Sequence, residues 1–118
     1  MEIKHVSIKG KVTRNKIESL LAKFLNLSLN QIGDYITDIE NDNILVGVEL
    51  KYLEEYYNSY INIWIKRNIV DFCFNLQLAN YLNIELKEEI LVENDIFTNS
   101  YEFIVCKKEG IMTLMNLD

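Results

Sequence analysis

Apolar and polar residues alternate along the chain with two different periods, and each period predicts a different kind of element. Residues 3–8 alternate between two faces, with Ile3, His5 and Ser7 on one and Lys4, Val6 and Ile8 on the other, which predicts a β-strand. From Arg14 the apolar residues return every three or four positions, which predicts an amphipathic helix that ends between Asn26 and Asn30. Thr13 precedes this stretch and is its expected N-cap.

Two period-two runs follow, at residues 35–39 and 44–50, and residues 40–43 between them are rich in turn-forming residues. We interpret this segment as a β-hairpin whose second strand either ends at Leu50 or continues through Tyr52. A third run, residues 60–66, predicts another strand.

The stretch between the second and third runs allows two interpretations. Residues 53–59 form either a loop or a single helical turn between two strands. The alternative is one long helix over residues 50–60, because Leu50, Leu53 and Tyr57 recur at helical spacing.

The second half of the chain returns to helical spacing and then to short runs. A helix is predicted from Ile69, with Asn68 or Asp71 at its start and Asn83 at its end. Three strands are predicted after it, at residues 89–92, 100–106 and 110–115.

The predicted order of elements is therefore β-α-β-β-β-α-β-β-β. Two amphipathic helices covering one face of a mainly antiparallel sheet is the simplest arrangement that buries every apolar face, so we predict an α+β fold. The chain has 118 residues and no internal repeat or linker-like stretch, which indicates a single domain over residues 1–118.

Charge and composition narrow the possible partners. The formal net charge is −6, with residues 1–33 at +4 and residues 34–60 at −6. Nucleic acid is therefore an unfavourable partner, since its binding needs a basic surface. The alternative is a protein that binds nucleic acid through a basic patch near its N-terminus: Lys4, Lys9, Lys11, Arg14 and Lys16.

No apolar run approaches the ~20 residues that span a bilayer, so no membrane association is expected. The first residues lack the apolar segment of a signal peptide, and we expect a cytoplasmic protein. Asn, Ile and Lys make up about a third of the chain, as in an AT-rich bacterial gene.

The residue types that carry most enzyme chemistry are sparse. His5 is the single histidine, and without a second imidazole or a nearby thiolate it builds no common zinc site. Cys73 and Cys106 fall on predicted apolar faces and are expected to act as small hydrophobic residues. No glycine-rich phosphate loop is present, and the acidic pairs lack catalytic partners. We predict no catalytic residues, no metal site, no cofactor and no enzymatic activity.

The segment of residues 52–60 combines carboxylates with tyrosines and lies near the acidic residues of the predicted hairpin. Tyrosine is enriched at protein interfaces, and carboxylates beside it attract a basic partner. The alternative is that Tyr52 and Tyr60 only fill the edge of the core, in which case Tyr56 and Tyr57 are the exposed members.

A small, acidic, non-catalytic α+β chain of this composition resembles the immunity proteins of bacterial toxin–immunity systems, including contact-dependent growth inhibition. The resemblance lies in the last 50 residues or so: a helix read as residues 71–79, a strand at residues 100–105 and a terminal hairpin. These residues are structural and identify no binding site.

The resemblance implies an inhibitor that binds a cognate toxin domain, expected to be a basic nuclease. The hypothesised toxin-binding residues are Asp38, Glu40, Asp42, Glu54, Glu55, Tyr56 and Tyr57. A rival acidic surface is formed by Glu85, Glu88, Glu89, Glu93 and Asp95. The alternative function is a small structural or regulatory subunit that forms a homodimer through an exposed sheet edge.

Overall fold

A computed structural model describes residues 2–66, 74–94, 102–108, 110 and 112–116. Within these ranges the chain forms two α-helices, a short 3₁₀ turn and seven strands, in the predicted order. The elements are β1 (Glu2–Ile8), α1 (Arg14–Leu25), a 3₁₀ turn (Leu29–Gln31), β2 (Ile32–Asp34), β3 (Val46–Tyr52), β4 (Ser59–Ile65), α2 (Phe74–Leu86), β5 (Ile90–Glu93), β6 (Glu102–Cys106) and β7 (Met112–Asn116).

The strands form one sheet in the order β2-β3-β4-β1-β5-β6-β7. All neighbouring strands are antiparallel except β2 and β3, which are parallel. Strands β1 and β4 pair over their full lengths at the centre of the sheet, with Val6 opposite Ile61. The α+β fold predicted from the sequence is confirmed.

Both helices pack on the same face of this sheet and bury its apolar side chains. In β4, Ile61, Ile63 and Ile65 are almost fully buried and belong to the main hydrophobic core, as the alternation predicted. The helices complete this core with Ile17, Leu20, Leu21 and Ala22 from α1 and Phe74, Leu78, Ala79 and Leu82 from α2. Burial of this apolar surface is the main favourable contribution to folding.

The ends of the helices agree only in part with their predicted positions. The hydroxyl of Thr13 accepts a hydrogen bond from the backbone N–H of Lys16 and caps α1, as predicted, and Asn26 ends α1 in a left-handed conformation. The predicted start of the second helix, at Asn68 or Asp71, lies outside the described residues. Its predicted end at Asn83 is wrong.

Helix α2 continues to Leu86 because Asn83 is a buried link instead of a cap. The Asn83 amide donates to the carbonyls of Glu88, at 2.9 Å, and Lys107, at 2.8 Å. It thereby ties the helix to the sheet. The chain reverses at Lys87, which has a φ of 56°.

The predicted hairpin over residues 35–50 is wrong. The first strand of the pair is β2, which precedes the predicted run and lies parallel to β3. Residues 35–43 form a loop because the side chains of Asp34 and Asp38 bind backbone N–H groups that a strand would need. Asp34 accepts from Ile36 and Thr37, and Asp38 accepts from Asp34.

Residues 53–58 connect β3 to β4 as a loop, so the alternative of a helix over residues 50–60 is wrong. The loop is closed by a backbone hydrogen bond from Leu53 to Asn58 of 2.9 Å. Ser59 fastens its end, since its hydroxyl donates to the Gly10 carbonyl and accepts from the Val12 N–H.

A close packing of Trp64 on Gly47 lies across β3 and β4. Trp64 is fully buried on the sheet face opposite the helices, and its indole N–H donates to the Tyr35 carbonyl at 2.7 Å. A Cβ atom at position 47 would overlap the indole ring. The glycine therefore marks a close contact within a strand.

We expect Gly47→Ala to destabilise the protein by about 1–3 kcal/mol, because the added methyl group forces the Trp64 ring out of its position. Urea unfolding gives the free energy. The same substitution made with Trp64→Leu should cost markedly less, since leucine lacks the overlapping ring atoms. Equal costs in the two backgrounds would contradict this explanation.

Candidate functional site

The candidate site lies on the open face of the sheet, which we define as the face opposite α1 and α2. Strand alternation places Tyr60, Asn62 and Trp64 of β4 on this face, next to His5 and Ser7 of β1. Two loops border it. Loop 35–43 covers Trp64 at one end, and the tyrosine loop, residues 53–58, lies at the other end.

The tyrosine loop is held on the sheet by the carboxylate of Glu89. This residue precedes β5 and is only 7% exposed. The Tyr57 hydroxyl donates to its Oε2 atom at 2.7 Å, and the Tyr56 hydroxyl donates to Oε1 at 3.2 Å. The Lys107 ammonium lies 3.5 Å from Oε1. A buried carboxylate is stable only with such donors, so the loop and the sheet stabilise each other.

The electrostatics of this cluster follow from the same contacts. Burial acts to raise the pKa of Glu89, but the Tyr57 hydroxyl, the Lys107 charge and the Tyr56 hydroxyl outweigh it and hold that pKa below its ordinary value. Burial and the hydrogen bond to Glu89 raise the pKa of Tyr57. Glu89 is therefore ionised and Tyr57 neutral at physiological pH.

The tyrosine loop remains accessible although it is fastened. The rings of Tyr56 and Tyr57 meet edge to face with centroids 5.0 Å apart, and the Lys9 ammonium lies 4.7 Å from the centre of the Tyr56 ring. Tyr56 is still 57% exposed, and Glu54 and Glu55 at the tip are exposed as well. The loop thus presents acidic and aromatic groups in one preset conformation.

A second cluster of polar side chains lies at the middle of the open face and contains His5, Glu49, Tyr60 and Asn62. The Asn62 amide nitrogen donates to Glu49 at 2.8 Å, so its oxygen faces Nδ1 of His5, with which it forms a short hydrogen bond. Because that oxygen can only accept, Nδ1 of His5 donates this hydrogen bond. The Tyr60 hydroxyl is 3.0 Å from the same Nδ1 atom.

The structure divides the seven predicted toxin-binding residues into two separate groups. Glu54, Glu55, Tyr56 and Tyr57 lie on the tyrosine loop, whereas Asp38, Glu40 and Asp42 lie on loop 35–43. Strand β3 separates the two loops by about 20 Å along its six residue steps. Asp38 is turned inward to accept the Asp34 N–H, while Glu40 and Asp42 are exposed.

The rival acidic surface is not a single patch, and one member of the basic alternative is engaged within the fold. Glu85 is exposed on α2, whereas Glu93 lies on the open face and Glu89 is buried under the tyrosine loop. Asp95 is outside the described residues. In the basic alternative, Arg14 is engaged within the fold, with Nη2 donating to the Val48 carbonyl at 2.6 Å and lying 3.3 Å from Asp34.

Sequence reasoning missed the two groups that organise the open face. Glu89 was assigned to a different surface from Tyr57, and His5 was treated as an isolated strand residue. The hydrogen bonds that define the two groups join residues far apart in the chain: Tyr57 and Glu89 are 32 positions apart, and His5 and Asn62 are 57. The signal for Glu89 in the sequence was a carboxylate at the first position of the predicted strand 89–92, and this does not identify its partner.

The described residues contain no group of three or more His, Cys, Asp or Glu side chains placed to hold a metal ion. In the same ranges, no helix is long and apolar enough to cross a membrane. Cys106 is buried in β6, where burial raises the pKa of its thiol. A polar cleft of about 590 Å³ lies beside the 3₁₀ turn, lined by residues 28–31 and 41–45, and it contains one charged side chain, Asp42.

Comparison with known proteins found no match: no family model, no curated protein and no solved structure matches the chain.

We expect Tyr57→Phe to destabilise the protein by about 1–3 kcal/mol at neutral pH, because it removes a donor from a buried carboxylate. The pKa of Glu89 is lowered by folding, so its contribution to stability is present above the ordinary value of 4.5 and is lost as the pH falls through the folded-state value. The variant should therefore approach the wild type once the pH falls below that folded-state value. Urea unfolding across this pH range measures the difference.

Tyr81→Phe is the matched control, since the Tyr81 ring packs on Phe24 and its hydroxyl makes no hydrogen bond to another described residue. A Tyr57→Phe cost that is independent of pH, or equal to that of the control, would contradict the role of Glu89.

Proposed function

We propose that this chain is a non-catalytic bacterial immunity protein that binds and neutralises a cognate toxin domain. The binding surface is the tyrosine loop, with the open face beside it. The toxin is expected to be a basic protein that acts on nucleic acid, as the resemblance to immunity proteins implies.

The observation that carries the proposal is the attachment of the tyrosine loop to Glu89. Loops that become ordered only on binding lose affinity to the entropy of ordering, whereas a preset loop avoids this loss. Tyr57 supplies the attachment, and Tyr56, Glu54 and Glu55 remain exposed for a partner. Such aromatic residues surrounded by charge are typical of tight protein interfaces.

Charge also favours a basic partner. The net charge is −6, and the exposed carboxylates of the tyrosine loop lie at the border of the open face. Complementary charge raises the association rate and disfavours acidic partners. These features support the proposal through chemistry and leave the identity of the toxin to experiment.

A second candidate function, a homodimeric structural subunit, is favoured by the edge strand β7. This strand lies at one end of the sheet, and Met112 and Leu114 are 42% and 60% exposed. Its sequence, Met112–Asn116, contains neither charge nor proline, the devices that usually protect edge strands from pairing. Two copies could pair through β7 about a two-fold axis.

The first experiment tests the immunity function directly. The protein is immobilised, exposed to a lysate of the bacterium that carries the gene, and eluted with increasing salt. We expect one basic protein in near-stoichiometric amount, whose expression arrests growth and whose toxicity is relieved by coexpression of this chain. A captured protein that is harmless, or that remains toxic on coexpression, would contradict the proposal.

The second experiment locates the interface with Glu54→Lys/Glu55→Lys. We expect the association rate with the captured toxin to fall about tenfold at low ionic strength and its salt dependence to weaken, because steering is lost. Stopped-flow fluorescence or surface plasmon resonance measures the rate.

The matched control is Glu40→Lys/Asp42→Lys on loop 35–43, which changes the net charge equally, from −6 to −2. Equal slowing by the two double variants would assign the effect to net charge alone and would contradict a role of the tyrosine loop.

The homodimer is tested by light scattering after size-exclusion chromatography. If β7 pairs, the chain elutes as a dimer and Leu114→Lys converts it to a folded monomer, because an exposed charge is introduced beside the paired edge. A wild-type monomer at all concentrations excludes this candidate.

A further inference from the structure

We propose that a groove on the open face binds a single arginine side chain of the protein partner. The inference rests on the proposed function, because it specifies how the partner is recognised. The groove lies across β1, β4, β5 and β6, and its principal lining residues are His5, Ser7, Tyr60, Leu91, Glu93 and Phe103.

The size of the groove favours a side chain over a free metabolite. Its volume is about 220 Å³. Pockets for small-molecule ligands usually measure about 300–1,000 Å³ and bury most of the ligand. This groove is smaller and opens to solvent on the sheet, so it suits one long side chain delivered by a larger molecule.

The polar groups of the groove call for a ligand with many donors. Glu93 lines the groove and brings a carboxylate to it, which accepts hydrogen bonds and carries a negative charge. The Tyr60 hydroxyl lies 3.0 Å from Nδ1 of His5. It is also close enough to Glu93 and Glu49 for both carboxylates to raise the pKa of the phenol, after the larger effect of burial. The groove is therefore electronegative.

The aromatic walls distinguish arginine from lysine. The rings of His5 and Tyr60 are nearly parallel, with an interplanar angle of 10° and centroids 5.9 Å apart. Phe103 and Leu91 line the same groove. A guanidinium group is planar, carries five donors and no acceptor, and stacks on aromatic rings while it pairs with a carboxylate in a fork. An ammonium group also pairs with a carboxylate, but it is not planar, so it neither stacks flat on the rings nor forms the two-pronged contact.

The groove is tested without the toxin by NMR titration of the full ¹⁵N-labelled chain with acetyl-Gly-Arg-Gly-amide. We expect saturable shifts of the backbone amides of Ser7, Tyr60 and Glu93. The peptide with citrulline in place of arginine keeps the shape without the charge and should not produce them. Glu93→Gln should weaken binding about threefold or more, as loss of an exposed ion pair predicts.

Glu85→Gln is the matched control, since Glu85 is an exposed carboxylate on α2, in the layer of helices across the sheet. It should leave the titration unchanged. Three results would overturn the inference: no saturable shifts up to about 50 mM peptide, equal binding of the arginine and citrulline peptides, or equal binding of the matching lysine peptide.

The affinity of the captured toxin separates this inference from the proposed function. Glu93→Gln should weaken toxin binding at least about tenfold, because the lost hydrogen bonds are charged and shielded from water in the complex. A neutralised toxin whose affinity is unaffected by Glu93→Gln overturns the arginine groove and leaves the immunity function standing. If the arginine peptide binds but no toxin is captured, the arginine groove stands and the immunity function is overturned.

Discussion

In the part of the chain that the structure describes, both helices lie on the same face of the sheet, and the properties of the two faces follow from this. In β1 and β4, at the centre, the aliphatic side chains at alternate positions are buried under α1 and α2: Val6, Ile8, Ile61, Ile63 and Ile65. The period of two then forces the intervening residues, among them His5, Tyr60 and Asn62, onto the other face. The helices contribute the core, and the open face contributes a polar surface on a rigid support.

The attachment of the tyrosine loop to Glu89 converts part of that surface into a candidate binding site. A carboxylate that is 7% exposed needs several donors, and Tyr56, Tyr57 and Lys107 provide them. Each tyrosine then has its hydroxyl fixed at one end. Tyr56 keeps much of its ring exposed, so the contact stabilises the fold and shapes the proposed interface at the same time.

The sequence predicted the fold class and most elements because those depend on local periodicity. The alternation in β4 and the helical spacing of α1 are strong signals, and the Thr13 cap could be recognised from position alone. The prediction failed at residues 35–43, where apolar residues alternate but Asp34 and Asp38 bind the backbone. Short polar side chains can replace a strand ladder with a turn, and hydrophobic periodicity does not register this competition.

For the candidate site, the sequence by itself determined which residues are acidic or aromatic and that Glu54, Glu55, Tyr56 and Tyr57 are neighbours. Only the tertiary structure decided that Tyr57 reaches Glu89, that His5 meets Asn62 and Tyr60, and that loop 35–43 lies about 20 Å from the tyrosine loop. The reason is physical. Hydrophobic patterns repeat over a few residues and can be seen in the chain, whereas these contacts join residues that are 32 to 57 positions apart and depend on strand order and register.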